Sequence, residues 1–137
     1  MTTTPVTHAT PAGSYAHVAQ RDWMSDADII AAGQDSAVCS DIAEQLIRNE
    51  PGKNFKVILG GGRANFFPNT TADVESGQGL RLDGADLVSE WKNNWPNGSY
   101  VTSGSELNAL PLNETDSILG TTPRIFYIVA VLPHKIN

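Results

Sequence analysis

The chain has 137 residues, 40% of them hydrophobic, with fifteen acidic side chains against nine basic ones and a formal net charge of −6. That size and apolar content describe one globular unit able to bury roughly two thirds of its unfolded surface. The acidic balance without any basic run excludes a nucleic-acid-binding surface, and the longest apolar run, Ile125 to Leu132, falls far short of the roughly 20 residues a membrane-spanning helix needs.

Met1-Thr-Thr-Thr-Pro shows no charged segment followed by an apolar one, so no signal peptide is expected. Val6 to Trp23 then gathers hydroxyls, two histidines and one arginine with almost no apolar periodicity, which is site chemistry rather than core chemistry. If Thr4 to Thr10 ends a strand, His8 and Thr10 point to the same side of it and face one pocket. Pro11 and Gly13 turn the chain. A helical turn and a half over Tyr15 to Arg21 would return Arg21 towards Thr10. The Thr10 hydroxyl is a hard oxygen donor suited to Mg²⁺, whose retained waters His8 could orient, and the Arg21 guanidinium matches two phosphate oxygens at once. The competing reading of these hydroxyls and imidazoles is local hydrogen-bonded capping.

Asp22 to Val38 is polar and irregular and reads as a solvated loop, since its acidic spacing completes no calcium-binding pattern. Cys39, the only cysteine, reads as a small buried hydrophobe ahead of a reactive thiol. From Ser40 to Asn49 the pattern is helical, with Ile42, Ala43, Leu46 and Ile47 on one face and Asp41, Glu44, Gln45 and Arg48 on the other. Ser40 is placed to cap it, Asp41 to favour its dipole, and Pro51-Gly52 to stop it. Phe55 to Leu59 reads as a buried strand closed by Gly60-Gly61-Gly62. The glycines with Arg63 lack the Gly-Lys-Ser/Thr ending of a phosphate loop, and Asn65 stands where a dinucleotide fingerprint needs its third glycine.

Phe66-Phe67-Pro68 is expected to seal the sheet and Asn69 to Gly79 to form a loop. Asp86 to Asn94 is a second amphipathic helix, with Leu87, Val88, Trp91 and Trp95 on one side. Tyr100 to Thr102 is a short strand, Ser105 to Leu110 a helical turn or two, and Asp116 to Leu119 the start of another strand. Strands alternating with helices predict an α/β fold with a parallel sheet. Ile125 to Leu132 is an aggregation hazard if it finds no sheet edge. His17 is expected to pack in its turn, His134 carries no site weight, and three histidines so far apart have no zinc spacing. Asn69, Asn97 and Asn113 each begin a glycosylation sequon.

His8-Ala-Thr-Pro-Ala-Gly, Tyr15-Ala-His, Arg21-Asp-Trp and Lys56-Val-Ile-Leu-Gly-Gly-Gly-Arg63 together resemble the segment that follows the serine nucleophile in animal alkaline phosphatases. The similarity runs from about Thr2 to Gly120, leaving residues 121–137 as a divergent tail. The resemblance implies part of a three-layer α/β/α sandwich with a mostly parallel central sheet. It implies Thr10 as a magnesium ligand, His8 as the histidine one layer behind that ion, Arg21 as the grip on substrate phosphate and Glu75 as a calcium ligand. A cysteine at the position of Cys39 pairs in the family with an upstream one that is absent here. Family members hydrolyse phosphate monoesters through a phosphoserine intermediate with two zinc ions and magnesium. The Asp-Ser-Ala nucleophile motif is expected upstream of Met1, and the zinc ligands on both sides of residues 1–120. The resemblance therefore implies an extracellular or lipid-anchored, glycosylated, homodimeric parent, and a chain inactive by itself. A non-catalytic phosphate- or metal-binding fragment and a non-functional truncated product are the alternatives.

Overall fold

The computed structural model describes residues 1–73, 77–111 and 113–122. Three parallel strands form the central sheet in the order β1 (Val57–Gly61), β5 (Ser117–Thr122), β4 (Gly98–Val101). Ile58 lies opposite Leu119 and Leu59 opposite Gly120. Because successive strand residues point to opposite faces, Ile58 and Leu119 join one apolar cluster with α3 (Ile42–Arg48) and α4 (Leu87–Asn94). Leu59, Val101 and Ile118 form a second cluster with Leu107, on α5 (Gly104–Asn108), and Leu110. Both faces are covered by helix, as parallel sheets require, and the expected three-layer α/β/α arrangement is present. No helix among the described residues is long and apolar enough to cross a membrane.

The N-terminal segment runs along β1, not from Thr4 through Thr10. Thr2 N–H donates to Leu59 O at 2.9 Å, Gly61 N–H to Thr4 O at 3.0 Å and Val6 N–H to Gly61 O at 3.0 Å. The extended run stops there, and Ala9–Gly13 forms a helical turn, α1. Pro11 sits in its first turn, where a missing N–H costs nothing and the fixed φ suits a helix. The glycine triplet lets this segment approach: a Cβ on Gly60 would meet Thr2 Cγ2 at 2.6 Å and Val6 Cγ1 at 2.7 Å. The triplet thus ends the strand and makes the turn.

α3 begins one residue later than Ser40 would set it, because the Asp41 carboxylate accepts the Glu44 N–H at 2.8 Å and is the cap. Asp86 caps α4 in the same way. The pattern places Ile42, Ala43, Leu46, Ile47, Leu87, Val88 and Trp91 in the core, and all are buried. Asp41 and Gln45, assigned to the outer face, are buried as well. Arg48 ties the two helices, reaching Glu44 at 2.7 Å and Glu90 at 2.7 and 2.8 Å. The expected solvated loop over Asp22 to Val38 contains a helix, α2 (Asp26–Ala31), with Ile29 fully buried. Its acidic residues are structural: Asp28 accepts from Ser25 N–H and Oγ, while buried Asp26 accepts from Leu82 N–H at 2.9 Å and Asp83 N–H at 2.7 Å. Within the expected loop over Asn69 to Gly79, β2 (Ala72–Asp73) and β3 (Gly77–Gln78) pair antiparallel. Glu75 and the run Ile125 to Leu132 lie outside the described residues.

Arg81 is completely buried. Its guanidinium reaches Asp41 at 3.0 and 3.2 Å, Asp83 through Nε at 3.0 Å and the Asn65 carbonyl at 3.4 Å, with Asp26 at 3.9 Å. Burial works against the Arg81 charge, but bonds to Asp83 and Asp41 outweigh it and raise its pKa. Burial pushes the Asp41 carboxyl up despite Arg81. Burial also opposes the charge of Asp83, which the Arg81 bond nevertheless holds below its ordinary value.

Arg81→Leu leaves buried carboxylates without their counter-charge, a change costing about 3–5 kcal/mol. Urea titration should show that variant unfolded or close to it, given typical total stabilities of about 5–15 kcal/mol. The Glu90 carboxyl is held low chiefly by the Arg48 bond. A depressed carboxylate stabilises above its unfolded pKa, about 4.3, and that contribution is lost as pH falls through the folded value. Glu90→Gln should therefore cost at most about 1 kcal/mol at pH 7, because the pair is more than a third exposed and screened. It should also shrink the difference in urea midpoint between pH 7 and pH 3.

Candidate functional site

After α1 the chain returns along the N-terminal end of α3 without forming the expected helix over Tyr15 to Arg21. The buried Gln45 side chain holds it there, accepting from His17 N–H at 2.9 Å and donating to His17 O at 3.2 Å and Ser40 O at 3.1 Å. Six residues after His17, Trp23 O accepts from Ile42 N–H at 2.9 Å, and the Trp23 ring is buried. His17 thus serves the turn through its backbone. This latched return brings Arg21 to His8, not to Thr10: Arg21 Nη2 lies 3.2 Å from His8 Nε2. Asp22 Oδ1 stands 3.7 Å from the same imidazole nitrogen and 3.8 Å from Arg21 Nε.

A guanidinium only donates. His8 Nε2 must therefore present its lone pair to Arg21, which puts the ring proton on Nδ1. The His8 side chain is 28% exposed and that of Arg21 72%, so the imidazole backs the guanidinium while its remaining N–H groups face solvent. Arg21 borders a concavity of about 450 Å³ lined by small side chains, among them Ala9, Ala12 and Ala16.

Thr10 is brought to a different place. It is exposed, the second residue of α1, and it opens onto a separate concavity of about 350 Å³ bordered by Val6, Tyr15, Phe55 and Leu59. Residues two apart on a helical turn do not share a face. His8, the residue before the turn, is extended at φ −135°, whereas Ala9 sits at φ +49°, in the left-handed region. The strand ends before His8 and Thr10, so they do not stand two apart on one strand face as expected. The Thr10 hydroxyl is an accessible oxygen donor of the kind Mg²⁺ accepts. Among the described residues no group of three His, Cys, Asp or Glu could hold a metal ion, so these residues do not fit a zinc shell.

Asn97 and Asn113 are exposed, Asn97 donating to Asp116 at 3.0 Å. Asn69 is half-buried, with its backbone bonded to Arg81 O and Gln78 Nε2. Cys39 is a free, half-buried thiol. Two supporting side chains escaped the sequence reading. Tyr15, whose phenol burial pushes up, donates to Val6 O at 2.7 Å, and buried Gln45 stands on a helix face assigned to solvent. Neither has a periodic signature, because each bonds to backbone far along the chain.

A family model described as alkaline phosphatase matches residues 1–122. The chain is 45% identical over 124 residues to a membrane-bound alkaline phosphatase of Bombyx mori, covering 88% of this chain and 22% of that one. It is 47% identical over 128 residues to the tissue-nonspecific isozyme of alkaline phosphatase from Gallus gallus, covering 88% and 24%. To an alkaline phosphatase of Gadus morhua it is 44% identical over 131 residues, covering 88% and 26%. The chain thus spans about a quarter of the length of the curated relatives it matches.

An L-residue in the left-handed region costs roughly 1–2 kcal/mol, and glycine enters it freely. Ala9→Gly should accordingly raise the urea midpoint, by about 1 kcal/mol of stability after glycine's own entropic cost. A lower midpoint would show that Ala9 adopts an ordinary backbone conformation in solution.

Proposed function

The chain belongs to the alkaline phosphatase family, and from that premise we propose that it supplies the phosphate-gripping wall of a site that hydrolyses phosphate monoesters. The observation that carries this reading is the 3.2 Å contact between Arg21 and His8. Arg21 binds two non-bridging phosphate oxygens through its fork. His8 accepts one N–H from behind and fixes the direction of the others. In phosphoryl transfer, charge accumulates on the equatorial oxygens, and a preoriented guanidinium stabilises them there. Asp22 keeps the site close to neutral in the absence of ligand.

The family reading adds Thr10 as a magnesium ligand, with His8 one layer behind it, and Glu75 as a calcium ligand. When bound, such ions would polarise the phosphoryl group and activate a nucleophile. In the same reading the two zinc ions and the phosphoserine belong to segments of a family enzyme other than these 137 residues. The parent is placed at the cell surface, glycosylated at Asn69, Asn97 and Asn113. Its placement follows a Bombyx mori relative that is named membrane-bound.

Calorimetry of the 137-residue chain with inorganic phosphate should give a dissociation constant of about 1 mM, or −4 kcal/mol. Arg21→Ala should abolish that binding, and Arg21→Lys should weaken it several-fold. With a chromogenic phosphate monoester at alkaline pH and added Zn²⁺ and Mg²⁺, the chain alone should release nothing above buffer. Turnover that disappears in Arg21→Ala would overturn the assignment of catalysis to a longer chain, and sub-micromolar phosphate binding would make the fragment a binding module in its own right.

A further inference from the structure

Two buried side chains that the proposed function leaves unused, Asn65 and Thr7, stand between the Arg81 cluster and the residue that holds Arg21. Asn65 lies in the short 3-10 turn after β1 and is 5% exposed. Its carbonyl accepts from Arg81 Nη1 at 3.4 Å, and its Nδ2 donates to Thr7 Oγ1 at 2.9 Å. Thr7 is completely buried and directly precedes His8. The residue before it is held as firmly, with Val6 O accepting from Tyr15 at 2.7 Å and Val6 N–H donating to Gly61 O at 3.0 Å. Gly62, at φ +87°, leaves the space: a Cβ there would lie 3.2 Å from Thr7 Oγ1 and 3.4 Å from Asn65 Nδ2.

We propose that Asn65 is a positioning residue for phosphate binding. Through Thr7 it fixes where His8 leaves the sheet, and hence where His8 Nε2 can hold Arg21. This rests on the reading of Arg21 as the phosphate arm. Packing alone is a poor account of the amide, because Asn65 Oδ1 is buried without a partner among the described residues. An apolar pair of the same shape would avoid that desolvation penalty. What the amide adds is direction, since a hydrogen bond fixes geometry and an apolar contact does not.

The test compares the wild-type chain with Thr7→Ser, which keeps the hydroxyl, and with the double variant Thr7→Val/Asn65→Leu, which replaces the bond by apolar contact. Melting curves, imidazole ¹⁵N shifts of His8 and titration with inorganic phosphate are read for each. Wild type and Thr7→Ser should show the lone pair on Nε2 and equal phosphate affinity. The double variant should melt with the wild type, lose the single His8 tautomer and bind phosphate about tenfold more weakly. A folded double variant with unchanged tautomer and affinity overturns the proposal. If the double variant does not fold, Thr7→Val alone takes its place, judged on His8 tautomer and phosphate affinity, with a lower melting point expected because it strands the Asn65 amide. In the wild type, moreover, an Asn65 side-chain amide proton should exchange far more slowly than those of exposed Asn93 and Asn94, and equal rates overturn the proposal without any variant. A wild type that shows the tautomer coupling but binds no phosphate removes the functional reading of Arg21 and leaves the positioning role standing.

Discussion

The rest of the structure depends on one buried cation. Arg81 carries its charge into a site with no solvent, and only the carboxylates around it make that state tolerable. Each of those carboxylates also has a second task. Asp41 caps α3, Asp26 anchors the first turn of α2 to the backbone at Leu82 and Asp83, and Asp83 accepts the Ala85 N–H. Three segments far apart in sequence are thereby referred to a single point. A buried ion cluster of this kind is weak evidence for high stability. It is strong evidence for fixed geometry, because moving any one carboxylate strands a charge. The candidate site inherits that geometry: the return segment carrying Arg21 docks on α3 through Trp23 O and Gln45, at the end that Asp41 caps.

Much of this was legible in the sequence where apolar residues set the structure. The continuous apolar run that becomes β1 and the stripes on α3 and α4 follow from burial, which marks a buried strand by its run and a helix by its period. The elements that were misread are short and held by polar atoms. α2 has six residues, too few for a periodic signal, and its aspartates look like solvent-facing charge until their partners at Ser25, Leu82 and Asp83 are known. Arg81 occupies the run Arg-Leu-Asp-Gly, where nothing local marks it as the most buried charge among the described residues. In the same way the resemblance named His8, Thr10 and Arg21. The residues that hold them, Thr7, Tyr15, Gln45 and Asn65, act through a few specific hydrogen bonds, which leave no periodic trace in the sequence.

That difference bears on how the site is built. α1 is one turn of five residues, well below the length at which a helix is stable by itself, and it is entered through a left-handed alanine. Local propensity therefore does not hold it. It is clamped before its start, where Asn65 bonds Thr7, and beyond its end, where Tyr15 bonds back to Val6. Between those clamps His8 and Thr10 emerge on different sides of the turn. One backs the Arg21 guanidinium and the other offers an oxygen to the neighbouring concavity. A metal held through Thr10 and a phosphate held through Arg21 would thus meet around the rim of α1, not inside one pocket. The clamps on this turn set the relative placement of His8 and Thr10, so the geometry of the exposed residues is decided by buried bonds on either side of them.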